Sequence, residues 1–330
     1  MKVIYALLAL TILVLLVCGG VGWLEWEYFF GVVIPYIAII VFIVGFIYRV
    51  VKWARSPVPF HIPTVAGQQK SLPWIKNNRI ESPSSRIGVI IRMALEVLLF
   101  RSLFRNDRVE LKRSQKLIFS GKKFLWLGGL ALHWSLFIIL FRHLRLFTEP
   151  VPSIVLFTQS MDSIFQFLLP TLFITDLIIL VALSYLILRR FFAAQIRYIS
   201  LASDYFALFL ISGVAASGIL VRLFFRVDVE AVKELAMSVI RLNPVLPEGL
   251  TLTFYIHLFL VSALLAYFPF SKLMHGAGVL LSPTRNLVNN SRQRRHVNPW
   301  AYPVKVHTYE EYEDEFREVM KKVDLPVDKE

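Results

Sequence analysis

The chain has 330 residues, 56% of them hydrophobic, with a net charge of +13 and one cysteine. Apolar residues gathered in runs long enough to cross a bilayer exclude a soluble domain and point to an all-α membrane protein. With Cys18 alone, an intramolecular disulfide, a cysteine-ligated iron–sulfur cluster within the chain and haem attachment through C-x-x-C-H are also excluded.

Six apolar runs succeed one another: Val3 to Leu24, Tyr28 to Val51, Phe124 to Phe147, Ile164 to Leu188, Tyr205 to Phe225 and Leu250 to Met274. They predict about six transmembrane helices. We divide the chain into two N-terminal spans (1–52), a basic loop with an amphipathic helix (53–123), a four-helix core (124–275) and a tail (276–330). The first run has Lys2 and small residues near Cys18 to Gly20, as a signal peptide would, but its core continues to Trp23 without an A-x-A-like site. We therefore expect an uncleaved anchor.

Loop charge sets the expected orientation, because basic loops stay cytoplasmic. The stretch from Lys52 to Lys123 holds 15 Lys or Arg against 4 acidic residues, and RRFFAAQIRYIS and RNLVNNSRQRRH are also basic. These segments belong inside. GWLEWEY and TEPVPSIVLFTQSMDS carry acidic residues and no basic ones, which assigns them outside and both termini to the cytoplasm. Positive-inside loops account for the net charge, so we expect no nucleic-acid partner. A phosphate-cradling glycine loop and an H-E-x-x-H zinc motif are both missing from the sequence.

Ionisable residues inside a span are costly to insert and usually face a partner in the bundle. Four of the seven histidines qualify: His133 and His143 on the third span, and His257 and His275 on the sixth. His61, His296 and His307 fall in cytoplasmic segments and read as solvated. The third span runs outward and the sixth inward, so His143 and His257 share an outer level while His133 and His275 share an inner one. One imidazole from each side at each level is what axial ligation of two b-type haems requires. Ten residues of helix separate His133 from His143 by about 15 Å. His257 and His275 lie on one helical face, but 18 residues rise about 27 Å, so straight helices cannot match both pairs. Pro269, between the second pair, can bend or break the helix.

Room for a flat macrocycle could come from Gly128 and Gly129 or from SGVAASG (Ser212 to Gly218), although such residues equally serve helix packing. Arg142, Arg145 and Arg222 lie near the outer span ends, where they could meet haem propionates or reach for the interface. Glu149, Asp162 and Asp176 are candidates for proton handling there, with interfacial solvation an equal account of Glu149 and Asp162.

The H-x9-H and H-x17-H pairs on the first and last helices of a four-span core resemble the cytochrome b (gamma) subunit of respiratory nitrate reductase. That resemblance implies an outer haem held by His143 and His257 and an inner haem held by His133 and His275. FHIPTVAGQQKSLPWIKNN, RMALEVLLFRSLFRN and LSPTRNLVNNSRQRRHVNPW are similar to the membrane cytochrome b of the sulfite-reduction-associated (Dsr-type) or Hdr-like menaquinol oxidoreductase complexes, over nearly the whole chain. What this similarity implies is a subunit of the cytoplasmic membrane that exchanges electrons with menaquinone through two haems b. Its implied partner is a cytoplasmic iron–sulfur subunit similar to the catalytic subunit of heterodisulfide reductase, with further membrane, iron–sulfur and cytochrome c subunits. The alternative left open by the residues is a haem-free anchor or transporter with a histidine proton relay.

Overall fold

The computed structural model describes residues 1–56, 67–111, 117–163, 172–282, 284–293 and 306–329. His61, His296, residues 60–66 of the first cytoplasmic motif and residues 164–171 of the expected fourth span lie outside the described residues.

Helix α1 (Lys2–Gly22) is apolar all round and packs on later helices, with Val17 fully buried. A π turn, Phe29–Val33, runs without a break into α2 (Ile34–Ala54), and Pro35 follows it by two residues. On the loop side, α3 (Arg86–Leu99) starts where Ser85 Oγ accepts the Gly88 N–H at 3.2 Å, and it stops at Phe100, whose backbone is left-handed. The short α4 (Arg101–Phe104) follows. An antiparallel hairpin, β1 (Asp107–Leu111) with β2 (Leu117–Gly121), was not legible in the hydropathy pattern and is a small exception to the all-α expectation.

Next come α5 (Lys123–His143), α6 (Ser153–Asp162), α7 (Ile174–Phe192), α8 (Ala194–Ile199), α9 (Ala202–Leu223), α10 (Val229–Ile240) and α11 (Leu252–Tyr267). Helices α7 and α9 are capped alike: Asp176 accepts the Phe173 N–H and Asp204 the Leu201 N–H, each satisfying a free donor at the helix start. Among the described residues five helices are long and apolar enough to cross a membrane, against the expected six or so: Lys2–Gly22, Phe29–Ala54, Lys123–Leu146, Ala202–Leu223 and Leu252–Phe270. The fourth expected span corresponds in part to α7. Its 19 residues pack between α5 and α9, but Asp176, Arg189 and Arg190 make it more polar than a simple span.

Packing runs in chain order, α5 on α7, α7 on α9 and α9 on α11, with α2 against α11 and α1 against α9 and α11. Among the described residues α5 and α11 are not a closely packed pair, so the bundle is looser between the two histidine-bearing helices. Leu132, Ile179, Ala182, Leu183 and Ile211 form a buried apolar layer in the middle of α5, α7 and α9. The sixth span is not one helix. After α11 the chain makes two 3-10 turns, Phe268–Phe270 and Lys272–Met274, separated by extended Ser271, and then α12 (His275–Leu281). Pro269 lies in the first turn, between His257 and His275. An amphipathic helix, α13 (Tyr309–Lys322), lies in the tail.

The three distinctive motifs of the expected cytoplasmic segments meet in space. Asn289 N–H donates to Pro83 O at 2.7 Å, Ser291 Oγ to Gln69 Oε1 at 3.2 Å, and Arg285 pairs with Glu96 at 3.2 Å. Arg101 and Arg105 both reach Glu81. Together these contacts make a cap over the His133 end of the bundle. Arg92, inside the cap, is almost wholly buried, and its guanidinium is pushed down from its ordinary value by burial and by neighbouring Arg285.

Candidate functional site

The break after α11 brings His275 beside His133. Their ring centroids are 5.7 Å apart and nearly perpendicular, at 78°. A metal held between two imidazole nitrogens at about 2 Å each would set the rings roughly 6 Å apart. At the other end of the bundle His257 lies within electrostatic reach of His143. The helical rise along α5 separates the two levels by about 15 Å. The apolar layer of Leu132, Ile179 and Leu183 packs within that part of the bundle.

Each imidazole has its Nδ1 occupied. His133 Nδ1 is 2.7 Å from Gly129 O, His143 Nδ1 is 2.7 Å from Ile139 O, and His275 Nδ1 is 2.9 Å from Lys272 O. A carbonyl oxygen only accepts, so in these three rings Nδ1 carries the hydrogen and Nε2 keeps its lone pair. His257 reaches the same state through a hydroxyl: Ser217 Oγ is 3.0 Å from Nδ1 and 3.1 Å from Val214 O. The single hydroxyl hydrogen goes to the carbonyl, which leaves the oxygen to accept from Nδ1. All four rings thus offer Nε2 as a donor, the arrangement in which an outer hydrogen bond orients a metal-ligating histidine. Among the described residues no three His, Cys, Asp or Glu side chains gather around a metal-sized site. The His133–His275 ring spacing fits instead a metal whose remaining ligands come from a macrocycle, as in haem b.

The glycines divide their work. A Cβ on Gly218 would stand 2.9 Å from His257 Cε1, so only glycine lets that ring lie against α9. Gly128 instead makes room for Tyr185 of α7, whose ring would meet a Cβ at 2.6 Å, and Gly213 accommodates Leu10 and Leu260. Gly129 tolerates a Cβ at ordinary contact distance. Two of the four thus serve helix packing.

Beside the His143–His257 level, buried Arg142, Asp162 and Asp176 form a quartet with half-buried Arg222. Asp162 is 6% exposed. It accepts Thr175 N–H at 2.9 Å and Thr175 Oγ1 at 2.7 Å, and it pairs with Arg142 at 3.0 Å. It is not solvated at an interface. Asp176 bonds Arg222 and lies 3.9 Å from Arg142. The Phe173 ring sits between the two guanidiniums, 3.7 Å from Arg142 and 4.1 Å from Arg222. Arg145 donates to Gln159 at 2.9 Å, and exposed Glu149 pairs with Lys233. The three arginines therefore already have protein partners, although Arg142 Nε has none among the described residues. Phe173 and Ser217 were missed in the sequence, where a lone Phe and a Ser in a small-residue run carry no functional signal. An apolar cleft of about 630 Å³ lies elsewhere, between α1, the π turn and α11, and none of the four histidines lines it.

The bundle and its paired imidazoles define a multi-pass helical membrane protein of the cytochrome b-like kind. Residues 89–295 match the family described as nitrate reductase gamma subunit, and the chain belongs to that family. It is 46% identical over 279 residues to the Hdr-like menaquinol oxidoreductase cytochrome b-like subunit of Archaeoglobus fulgidus, covering 82% of this chain and 83% of the relative. It is 43% identical over 274 residues to the subunit of the same name in Archaeoglobus profundus, covering 81% of each.

Proposed function

We propose that this chain is the two-haem cytochrome b subunit of a menaquinol oxidoreductase complex, taking electrons from menaquinol and delivering them to a cytoplasmic iron–sulfur partner. His133 and His275 would hold one haem b, and His143 and His257 the other. Bound haem would supply one-electron transfer across the apolar core. The single observation that carries this reading is the four imidazoles at two levels, each with Nδ1 tied to a carbonyl or hydroxyl oxygen and Nε2 free to ligate. Menaquinol as donor follows from the names of the two archaeal relatives.

The remaining residues have supporting work. The backbone carbonyls of Gly129, Ile139 and Lys272, with Ser217 Oγ, orient the rings. Leu132, Ile179 and Leu183 keep water out of the core between the two levels. By the loop charges, the His133–His275 level faces the cytoplasm, and the cap built from residues 67–111 and 284–293 is the surface on which the partner docks. Trp74 in that cap is 77% exposed among Lys70, Lys76 and Arg79, the aromatic and basic composition typical of interface anchors.

A haem-free proton relay draws no support from the carboxylates. Asp162 and Asp176 are both engaged by guanidinium groups, so neither stands free to pass protons along a relay. The deciding experiment is a reduced-minus-oxidised visible spectrum with haem quantification on the purified chain. Two b haems per chain are expected, and none would refute the reading.

A further inference from the structure

Phe100 occupies an unusual position. It joins α3 to α4 with a left-handed backbone, φ 50° and ψ 45°, a conformation that side chains larger than glycine rarely adopt. An aromatic residue held there needs the surroundings to hold it.

Those surroundings come from the residues flanking the kink and from two distant parts of the chain. Two tryptophans of α5 take the last carbonyls of α3: Trp126 Nε1 donates to Leu99 O at 2.7 Å and Trp134 Nε1 to Leu98 O at 2.9 Å. Across the kink, Glu96 accepts both the backbone N–H and the hydroxyl of Ser102. From the tail, Arg285 pairs with Glu96 at 3.2 Å and donates to Ser102 Oγ at 3.3 Å. The kink is therefore clamped on one side by α5 and on the other by a residue 183 positions away from Ser102.

What the clamp presents is the Phe100 ring, edge-on to His133 at 4.9 Å between centroids and 89° between planes. Phe100 also lies over Gly129, whose carbonyl receives the His133 Nδ1 hydrogen. The His133 imidazole thus has Phe100 and His275 as ring neighbours and Gly129 O at Nδ1, which together determine how the ring is turned about its own axis.

We propose that Phe100 is a positioning residue for the cytoplasmic-level iron ligand His133, and that Arg285 and Glu96 act through it as the clamp. The inference rests on the two-haem reading above and extends it. The cap that receives the partner and the ring that would ligate the nearer iron become one mechanical unit, so the imidazole plane depends on contacts made by the tail.

The test uses the full-length protein with both haems, followed by low-temperature electron paramagnetic resonance and potentiometric titration. His275→Ala first identifies which haem signal belongs to the His133–His275 level. Phe100→Gly removes the ring while suiting the left-handed backbone, so the fold is retained. It should shift the g-maximum and the midpoint potential of the His133–His275 haem and leave the other haem unchanged. Phe100→Tyr, which keeps the ring edge, should return both towards the parent values. Arg285→Gln, which touches neither imidazole, should shift the same haem in the same direction. Unchanged inner-level signals in Phe100→Gly, or equal shifts of both haems in either variant, would overturn the proposal. A parent protein without haem would overturn both this inference and the function on which it rests.

Discussion

Gly218→Ala is the sharpest probe of the His143–His257 level. The new Cβ would stand 2.9 Å from His257 Cε1, 3.4 Å from Nδ1 and 3.6 Å from Nε2, so the whole ring must move. It cannot move freely, because Ser217 holds Nδ1 at 3.0 Å and Phe254 and Tyr255 beside it are buried. Overpacking of this kind costs about 1–3 kcal/mol, of which roughly 0.5–1 kcal/mol is recovered from the better helix propensity of alanine. At about 1.4 kcal/mol per tenfold, the net cost of up to about 2.5 kcal/mol should lower haem affinity at this level by up to about sixtyfold, while the other level keeps its haem. Gly213→Ala is the control. Its Cβ would meet only the flexible ends of Leu10 at 3.2 Å and Leu260 at 3.4 Å, so haem content should stay at two. Haem quantification by the pyridine hemochrome assay during dilution into apo-myoglobin measures both. If Gly218→Ala releases haem no faster than the parent, the packing of His257 against α9 does not matter to ligation and the reasoning fails.

Four further outcomes are expected. His257→Ala should leave one haem, held by His133 and His275, and retention of both would contradict the pairing by level. Asp176→Asn leaves Arg222 and Arg142 short of a carboxylate and should lower stability in detergent by about 3 kcal/mol, seen as a lower thermal midpoint; Asp176→Asn with Arg222→Gln should recover part of it. Trp74→Ala should weaken partner binding at least tenfold in a pull-down titration while both haems remain spectrally intact. In the tail, Glu313 accepts the Asp328 and Lys329 N–H groups at 2.8 Å, bonds that hold its carboxyl below the ordinary 4.5. A depressed carboxyl contributes stability above its ordinary value and loses it as pH falls through the folded one. Protection of the Asp328 and Lys329 amides, measured relative to intrinsic exchange, should therefore hold above pH 4.5 and be lost as pH falls through the lower folded value.

The quartet beside His143 changes how that end of the bundle is understood. Read one at a time, Arg142 and Arg222 suggested propionate partners, and Asp162 and Asp176 suggested proton carriers. Together they compensate one another's charge around the Phe173 ring. A buried charge is tolerated when it is paired and hydrogen-bonded, and Asp162 meets both conditions through Arg142 and Thr175. The quartet also joins α5, α6, α7 and α9 next to a histidine level, so it fixes the geometry around His143 without itself needing to exchange protons.

Features that depend on near neighbours in the chain were legible in the sequence. Bilayer-length apolar runs, the two histidine levels and the interruption at Pro269 follow from helical rise, pitch and the missing proline N–H, all of which act within a few turns. Three sequence motifs were recognisable as distinctive, but not that Asn289 would bond Pro83 or Arg285 would close on Glu96. The small residues were visible too, yet Gly128 and Gly218 look alike in the chain, and only the neighbours, Tyr185 for one and His257 for the other, separate packing from ligand support. Asp162 could be read as solvated until the fold buried it against Arg142 and Thr175. These assignments belong to tertiary structure because each is set by which side chain from a distant segment fills a particular few ångströms of space, and no local propensity encodes that.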